Sequence, residues 1–247
     1  MLTFRTSAIF FGIAQIAAFV LWRFGACSLW PLVITIAAHV GLIAWGSMTP
    51  HLGFFIKHRV HGSPGTLALT FDDGPHPENT PKLLDALREL NVPATFFVIG
   101  RKVEAHPAIA RRIVEEGHAI GIHTQDHHWS WGVIGKKKAL AQITLCRDAI
   151  QRATGEQAVL FRPPFGVTTP PMAKAVREAG VVLTAWDLRT FDTNAHSAAQ
   201  VMERIASRLD KSTTILLHDT MPFAAELARA IIERARSQGM ELVKLNP

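Results

Sequence analysis

The sequence predicts an α/β domain built on parallel strands, either a barrel or a doubly wound sheet, entered through two apolar helices. Three observations predict it. Short apolar strand patterns alternate with amphipathic helical ones between Thr66 and Leu245, the order that parallel strands with helical crossovers require. Acidic, imidazole and guanidinium side chains gather just after the strands, which in a parallel barrel places them on one rim. The first 59 residues, by contrast, contain no Asp or Glu and hold two long apolar runs.

Those runs, about 7–22 and 29–45, are separated by the short Arg23-Phe24-Gly25-Ala26-Cys27-Ser28. At 1.5 Å per residue each is close to the minimum for crossing a ~30 Å hydrocarbon layer. Trp22, Trp30 and Trp45 stand at the run ends, where amphipathic rings favour the membrane interface. Arg5 ahead of the first run also suits a signal peptide, but its removal would still leave the second run as an anchor. The expected division is a membrane hairpin over 1–59 and a catalytic domain over 60–247.

A hairpin puts both of its ends on one side. The N-terminal amine, Arg5, Lys57 and Arg59 outweigh the lone Arg23 in the turn. The positive-inside rule therefore places the domain on the cytoplasmic face, read as that of a bacterial inner membrane. Without the four basic residues of the appendage, the 26 Lys and Arg of the chain fall to 22, against 20 Asp and Glu. That near-neutral balance argues against a nucleic-acid partner. Cys27 and Cys146 lie in different parts of the chain, so neither a disulfide nor a cysteine metal site is expected, and Cys146 reads as a small core residue.

Within the domain, strands are expected at Thr66–Phe71, Ala94–Ile99, Ala119–Ile122, Val159–Phe161, Val181–Ala185, Thr214–Leu217 and Glu241–Leu245. Helices are expected at Pro81–Leu90 with Thr80 as N-cap, Pro107–Glu116 closed by Gly117, Lys137–Thr154, Pro171–Ala179, Ala198–Leu209 and Phe223–Ser237.

Five segments carry chemistry. Thr70-Phe71-Asp72-Asp73-Gly74-Pro75 puts adjacent carboxylates at a strand end. Turn formation would explain Asp before Gly, but alternation along an extended chain also lets one carboxylate hold a metal while the other faces substrate. His123-Thr124-Gln125-Asp126-His127 supplies two imidazoles four apart, on one face if the turn is helical. One Asp and two His form a catalytic divalent-metal set with a position left for water, and the second Asp is free to act as base. His128 reads as a surface residue, and Trp129 and Trp131 as either a sugar platform or loop packing.

Arg162-Pro163-Pro164-Phe165-Gly166 is a stiff strand exit that aims Arg162, either at the base Asp or into a rim salt bridge. Asp187 and Asp192 in Trp186-Asp187-Leu188-Arg189-Thr190-Phe191-Asp192 follow a strand, and Leu216-Leu217-His218-Asp219 puts a histidine on the same rim, suited to a general acid.

In this order, the five segments resemble the polysaccharide deacetylase family, the NodB-homology domain of carbohydrate esterase family 4, over about three quarters of the chain. The resemblance implies a distorted (β/α)7 barrel that removes an N-acyl group, expected to be acetyl, from an amino sugar by metal-assisted hydrolysis. It implies Asp72 as general base, Asp73, His123 and His127 as metal ligands, and His218 as general acid. Arg162 would orient Asp72, Asp192 would pair with His218, and Thr124 would brace the loop. The implied metal is divalent, usually zinc.

Two positions depart from the family pattern. Thr193 stands where members commonly carry a Trp that shapes the acyl groove, and Phe165 replaces a Tyr whose backbone amide serves the oxyanion. Asp187 is a second candidate partner for His218. Membrane attachment adds an expected substrate class, an amino-sugar glycan made at the bilayer or linked to lipid. Two other readings remain: a deformylase or related amidohydrolase on the same barrel, and a non-catalytic anchored glycan-binding protein.

Overall fold

The computed structural model describes residues 3–58 and 63–246. Two long helices come first, α1 (Phe4–Arg23) and α2 (Trp30–Met48). The α1 helix starts earlier than the apolar run because Thr3 and Thr6 cap each other, Thr6 N–H donating to Thr3 Oγ1 at 3.3 Å and Thr3 N–H to Thr6 Oγ1 at 2.9 Å. Both helices are long and apolar enough to cross a membrane, with mean hydropathies of 1.7 and 1.6. Their large side chains, among them Ile9, Phe10, Ile13, Ile16, Ile34 and Val40, lie on the surface. A continuous apolar surface of this kind is not what a core helix presents.

The domain then runs β1 (Thr66–Asp72), α3 (Asn79–Glu89), β2 (Thr95–Val98), α4 (Gly100–Ala105), α5 (Pro107–Glu115), β3 (Ala119–Ile122), α6 (Lys136–Thr154), β4 (Leu160–Phe161), α7 (Pro170–Ala179), β5 (Val182–Leu183), β6 (Leu188–Arg189), α8 (Ala198–Ile205), β7 (Thr214–His218), α9 (Ala224–Ser237) and β8 (Glu241–Val243). All strand pairings are parallel. The order is β5-β4-β3-β2-β1-β7-β6, with β8 added against the start of β1. The sheet curls with helices around it, the NodB-type architecture, and among the described residues no pairing joins β5 to β6.

Strand β1 shows how sequence becomes geometry. Leu67, Leu69 and Phe71 join the large core under the helices, whereas Ala68 belongs to a small inner cluster with Phe97, Leu160 and Leu245. By the two-residue period, Thr70 and Asp72 follow Ala68 onto the inner face. The register sets Asp72 level with Phe97 of β2 and with His218 of β7. Ile122 of β3 is level with Phe161 of β4, so His123 and Arg162 leave the sheet together. Four strands thus deliver four polar side chains to one rim.

Several elements differ from expectation. Thr80 is not the cap of α3; Glu78 occupies that place, and the Thr80 hydroxyl instead accepts from His76 N–H at 2.7 Å. The short α4 and the two-residue β6 are additions, and α8 stops at Ile205 rather than Leu209. The two apolar helices meet the domain at the end away from their turn: Phe4 N–H donates to Phe54 O at 3.0 Å, Phe54 and Phe55 cluster with Ala173 of α7, and Thr168 N–H donates to Ser47 O at 2.9 Å.

Candidate active site

Arg162 is the largest fully buried side chain among the described residues. Its Nη1 donates to Asp72 Oδ1 and to Thr70 Oγ1, both at 2.7 Å, and its Nη2 to Ala185 O at 3.3 Å. The guanidinium lies 4.1 Å from the Phe97 ring centroid. Burial pushes Arg162 below its usual pKa, against the pull of Asp72. Asp72 is thereby fixed in place with its second oxygen, Oδ2, turned toward His123 Nε2 at 3.9 Å.

Asp73 reaches the same space by a different route. Strand alternation would send it to the outer face, but β1 ends at Asp72 and Asp73 takes a left-handed φ of 73°. Its Oδ1 then lies 3.4 Å from His123 Nε2 and 3.3 Å from His127 Nε2, and its Oδ2 is 4.0 Å from His218 Nε2. Burial opposes the Asp73 charge, yet His123, His127 and His218 hold its carboxyl well below the usual range.

The two imidazoles converge without a helix. The segment after β3 is an irregular turn in which Thr124 (φ 67°) and His127 (φ 51°) are left-handed, and Thr124 Oγ1 accepts from His127 N–H at 3.1 Å. The helical placement expected from the spacing is therefore corrected, while the shared face survives. His123 Nδ1 lies 2.8 Å from Arg162 O; a carbonyl only accepts, so Nδ1 carries the proton and Nε2 presents its lone pair. Burial and the neighbouring His123 lower the pKa of His127, against Asp73, which favours the neutral, ligating form.

These groups fit a metal ion. Asp73 Oδ1 is buried and has no hydrogen-bond partner, and Asp73, His123 and His127 each aim one donor atom into a space within 4.8 Å. The 3.3–3.4 Å carboxylate–imidazole separations match the edge of a tetrahedron with ligand bonds of about 2.0–2.1 Å.

On the other side of Asp73, His218 is clamped by Asp192. Asp192 Oδ1 accepts from His218 Nδ1 at 2.8 Å, and Oδ2 from the His218 backbone N–H at 2.7 Å. The Thr190 hydroxyl steadies this carboxylate from 3.1 Å. Burial alone would lower the His218 pKa, but the hydrogen bond and charge of Asp192, with Asp72 and Asp73, raise it to about 9. Asp187 is not the partner. It lies at the opposite end of β7, where its carboxylate accepts from Thr213 N–H, Thr213 Oγ1 and Thr214 N–H at 2.7–2.9 Å.

The cavity above these residues, about 190 Å³, is also walled by Phe165, Arg189, Phe191 and Thr193. Phe165 is half exposed and meets the His127 ring edge-on at 4.7 Å. The sequence reading missed Arg189 and Phe191, although both fall within a segment it singled out. It also left Asp219 without a role: this fully buried carboxyl accepts from Thr80 Oγ1 at 2.6 Å and packs so closely on Gly74 that a Cβ there would overlap it. Burial raises the Asp219 pKa to about 7. Trp131 is packing, its Nε1 donating to Val167 O at 3.1 Å; Trp129 and His128 are exposed and do not line this cavity.

The sequence profile of the family described as polysaccharide deacetylase matches residues 59–184. The chain belongs to the polysaccharide deacetylase family. It is similar to the Bacillus subtilis peptidoglycan-N-acetylmuramic acid deacetylase PdaC, with 32% identity over 73% of this chain and 38% of that protein. The crystal structure of PdaC superposes with a TM-score of 0.67 at 31% identity, covering 75% of this chain and 90% of that one. A Bacillus cereus peptidoglycan-N-acetylglucosamine deacetylase is 30% identical over 78% of this chain and 92% of its own length. The chain spans about two fifths of the length of PdaC. A family pseudoenzyme from Bacillus anthracis has the same fold, with a TM-score of 0.70 at 22% identity, 76% of this chain and 66% of that one. Family membership therefore leaves the argument for activity to the residues of the rim.

Proposed function

We propose that this chain is a metal-dependent hydrolase that removes an N-acetyl group from an amino sugar in a membrane-associated or lipid-linked glycan. The observation that supports it is the arrangement around Asp73: an orphaned carboxylate oxygen between two imidazole lone pairs, flanked by the Arg162–Asp72 pair and by the Asp192–His218 pair. The named deacetylases among its relatives support the acyl-transfer reading.

In this reading Asp73, His123 and His127 hold the ion, taken to be zinc from the mixed N/O donor set. When bound, a divalent ion supplies Lewis acidity toward the amide oxygen and acidifies water. Arg162 holds Asp72 so that one carboxylate oxygen is engaged and the other accepts a proton from the attacking water. The Phe165 backbone N–H is the donor offered to the tetrahedral oxyanion. His218, an imidazolium at neutral pH by its pKa of about 9, gives its Nε2 proton to the sugar nitrogen as the C–N bond breaks. Water and amide thus become acetate and free amine. Asp192 keeps the His218 ring aimed throughout.

Residues 1–59 serve as a two-helix membrane anchor and 60–247 as the catalytic domain. The apolar surfaces of α1 and α2 support the anchor, and the charge balance of Arg5 and Lys57 against Arg23 supports a cytoplasmic face. Thr193 on the cavity wall, where the family commonly has Trp, favours one second reading, removal of formyl rather than acetyl.

The test is acid release from N-acetylated and N-formylated chitotetraose by the full chain in detergent. Activity lost in chelator, restored by zinc and reduced about 10²–10⁴-fold in Asp72→Asn, the range of a general base, establishes the reading. Formate released in preference to acetate selects the second, and failure to bind a divalent ion overturns both.

A further inference from the structure

The end of α2 and the turn after it pack behind the wall of the catalytic cavity. Thr168 N–H donates to Ser47 O at 2.9 Å, and Pro50, opening a short 3-10 turn over Pro50–Leu52, packs on Gly166. A Cβ on Gly166 would lie 3.4 Å from Pro50 Cγ and 2.6 Å from Trp186 Cη2. Between this turn and β6 opens a second cavity of about 550 Å³. The apolar segment contributes Met48, Pro50, His51 and His58 to it; the domain contributes Trp186, Asp187, Arg189, Phe191 and Arg208. Arg189 and Phe191 line the catalytic cavity as well, so the two spaces share a wall.

Its charge is net positive, two guanidiniums against one carboxylate. The one acid, Asp187, has its carboxylate engaged by Thr213 and Thr214. Among the described residues Arg208 reaches only the Asp187 carbonyl, at 3.4 Å. Arg189 makes no ion pair among the described residues and rests on the Phe191 and Trp186 rings at 4.9 and 5.9 Å. His58 Nδ1 is buried and has no partner among the described residues. Two guanidiniums and two imidazoles thus surround a space that opens beside the last turn of an apolar helix, where Trp45 and Met48 are exposed. Guanidinium forks match phosphate oxygens, and a position beside a membrane helix keeps an attached hydrocarbon chain in lipid.

We propose that this cavity binds the phosphate or diphosphate of a polyisoprenyl-linked amino sugar, with the sugar reaching across Arg189 into the catalytic cavity and the isoprenoid lying along α2. The proposal rests on the deacetylase and anchor readings above and names their substrate class. A bulk anionic phospholipid headgroup offers the same phosphate chemistry, so the test separates the two sources.

The probe is farnesyl diphosphate, with farnesol as its uncharged counterpart, titrated into the full chain in phosphatidylcholine nanodiscs. Farnesyl diphosphate is expected to bind more tightly than farnesol. Arg208→Gln should weaken it by about ten-fold, the worth of one charge-assisted hydrogen bond, and leave farnesol affinity as it was, while Arg208→Lys recovers part of the loss. Equal affinity for the two ligands, equal binding by wild type and Arg208→Gln, or a parallel fall for both ligands overturns the proposal. Loss of farnesyl diphosphate binding when phosphatidylglycerol is added overturns the substrate assignment in favour of a headgroup. Tight diphosphate binding by a chain that fails to bind a divalent ion would instead remove the deacetylase reading and keep the phosphate site.

Discussion

Asp72 and Asp73 are neighbours in sequence with opposite electrostatic surroundings. Asp72 is engaged by a buried guanidinium, whereas Asp73 faces three imidazoles. In the proposed reaction that asymmetry suits Asp72 to accept a proton and Asp73 to hold an ion. The same logic divides the histidines. His123 is locked by a carbonyl at Nδ1 so that Nε2 is a bare lone pair, while His218 is locked by a carboxylate at Nδ1 that favours its protonated form. Asp192→Asn removes the charge that raises the His218 pKa to about 9. Because the proposed reaction needs the imidazolium, activity of the variant is expected to fall off at lower pH than wild type as pH rises. The check is the alkaline limb of the kcat/KM profile; a limb that stays in place removes His218 as the acid.

At the scale of elements, β1 was legible because its alternation is plain: Leu67, Leu69 and Phe71 to the helices, Ala68, Thr70 and Asp72 inward. The meeting of Asp73, His123 and His127 was legible from their motifs, but the backbone that achieves it was not, since it depends on left-handed conformations at non-glycine residues, which no periodicity encodes. Strand β6 has only two residues, too short for a pattern, and missing it moved Asp187 to the wrong end of the sheet and hid Arg189 and Phe191. The turn after β1 offers a test of how tightly the rim is fitted. Gly74→Ala would press a methyl onto the Asp219 carboxyl and should cost about 1–3 kcal/mol, as overpacking does. Asp219→Ala in the same chain makes room, so the double variant should lose less than the sum of the single losses in denaturant midpoints. At the far end of β3, His118 Nδ1 accepts from Ala94 N–H at 3.1 Å, and burial lowers its pKa to about 4. Between that value and the ordinary 6.5 the unfolded chain binds the extra proton, so stability should be full above pH 6.5 and fall toward pH 4. His118→Gln is expected to flatten that part of the stability–pH curve.

For the whole molecule, the hairpin and the rim form one arrangement: α1 begins against Phe54 and Phe55, α2 ends against Thr168 and Gly166, and the turn between them lies at the far end of both helices. If the hairpin crosses the bilayer, that turn emerges on the side opposite the catalytic domain. Its Cys27 reports which side this is. The chain has two cysteines; Cys27 is partly exposed in the turn, whereas Cys146 is fully buried, and its thiol is pushed up to about 12 by burial. Thiolate is the reactive form, so Cys146 is silent toward maleimides in the folded protein and Cys27 carries the signal. With the domain on the cytoplasmic face, a membrane-impermeant maleimide added to spheroplasts should label the wild-type chain without permeabilisation and should not label Cys27→Ser. Labelling that appears only after the membrane is opened would put the domain outside, where the glycan within its reach is the assembled wall or an exported polymer rather than a lipid-linked precursor. The positive charges of Arg5 and Lys57 predict the first result, and the diphosphate-binding cavity beside α2 is the feature that gives that topology a use.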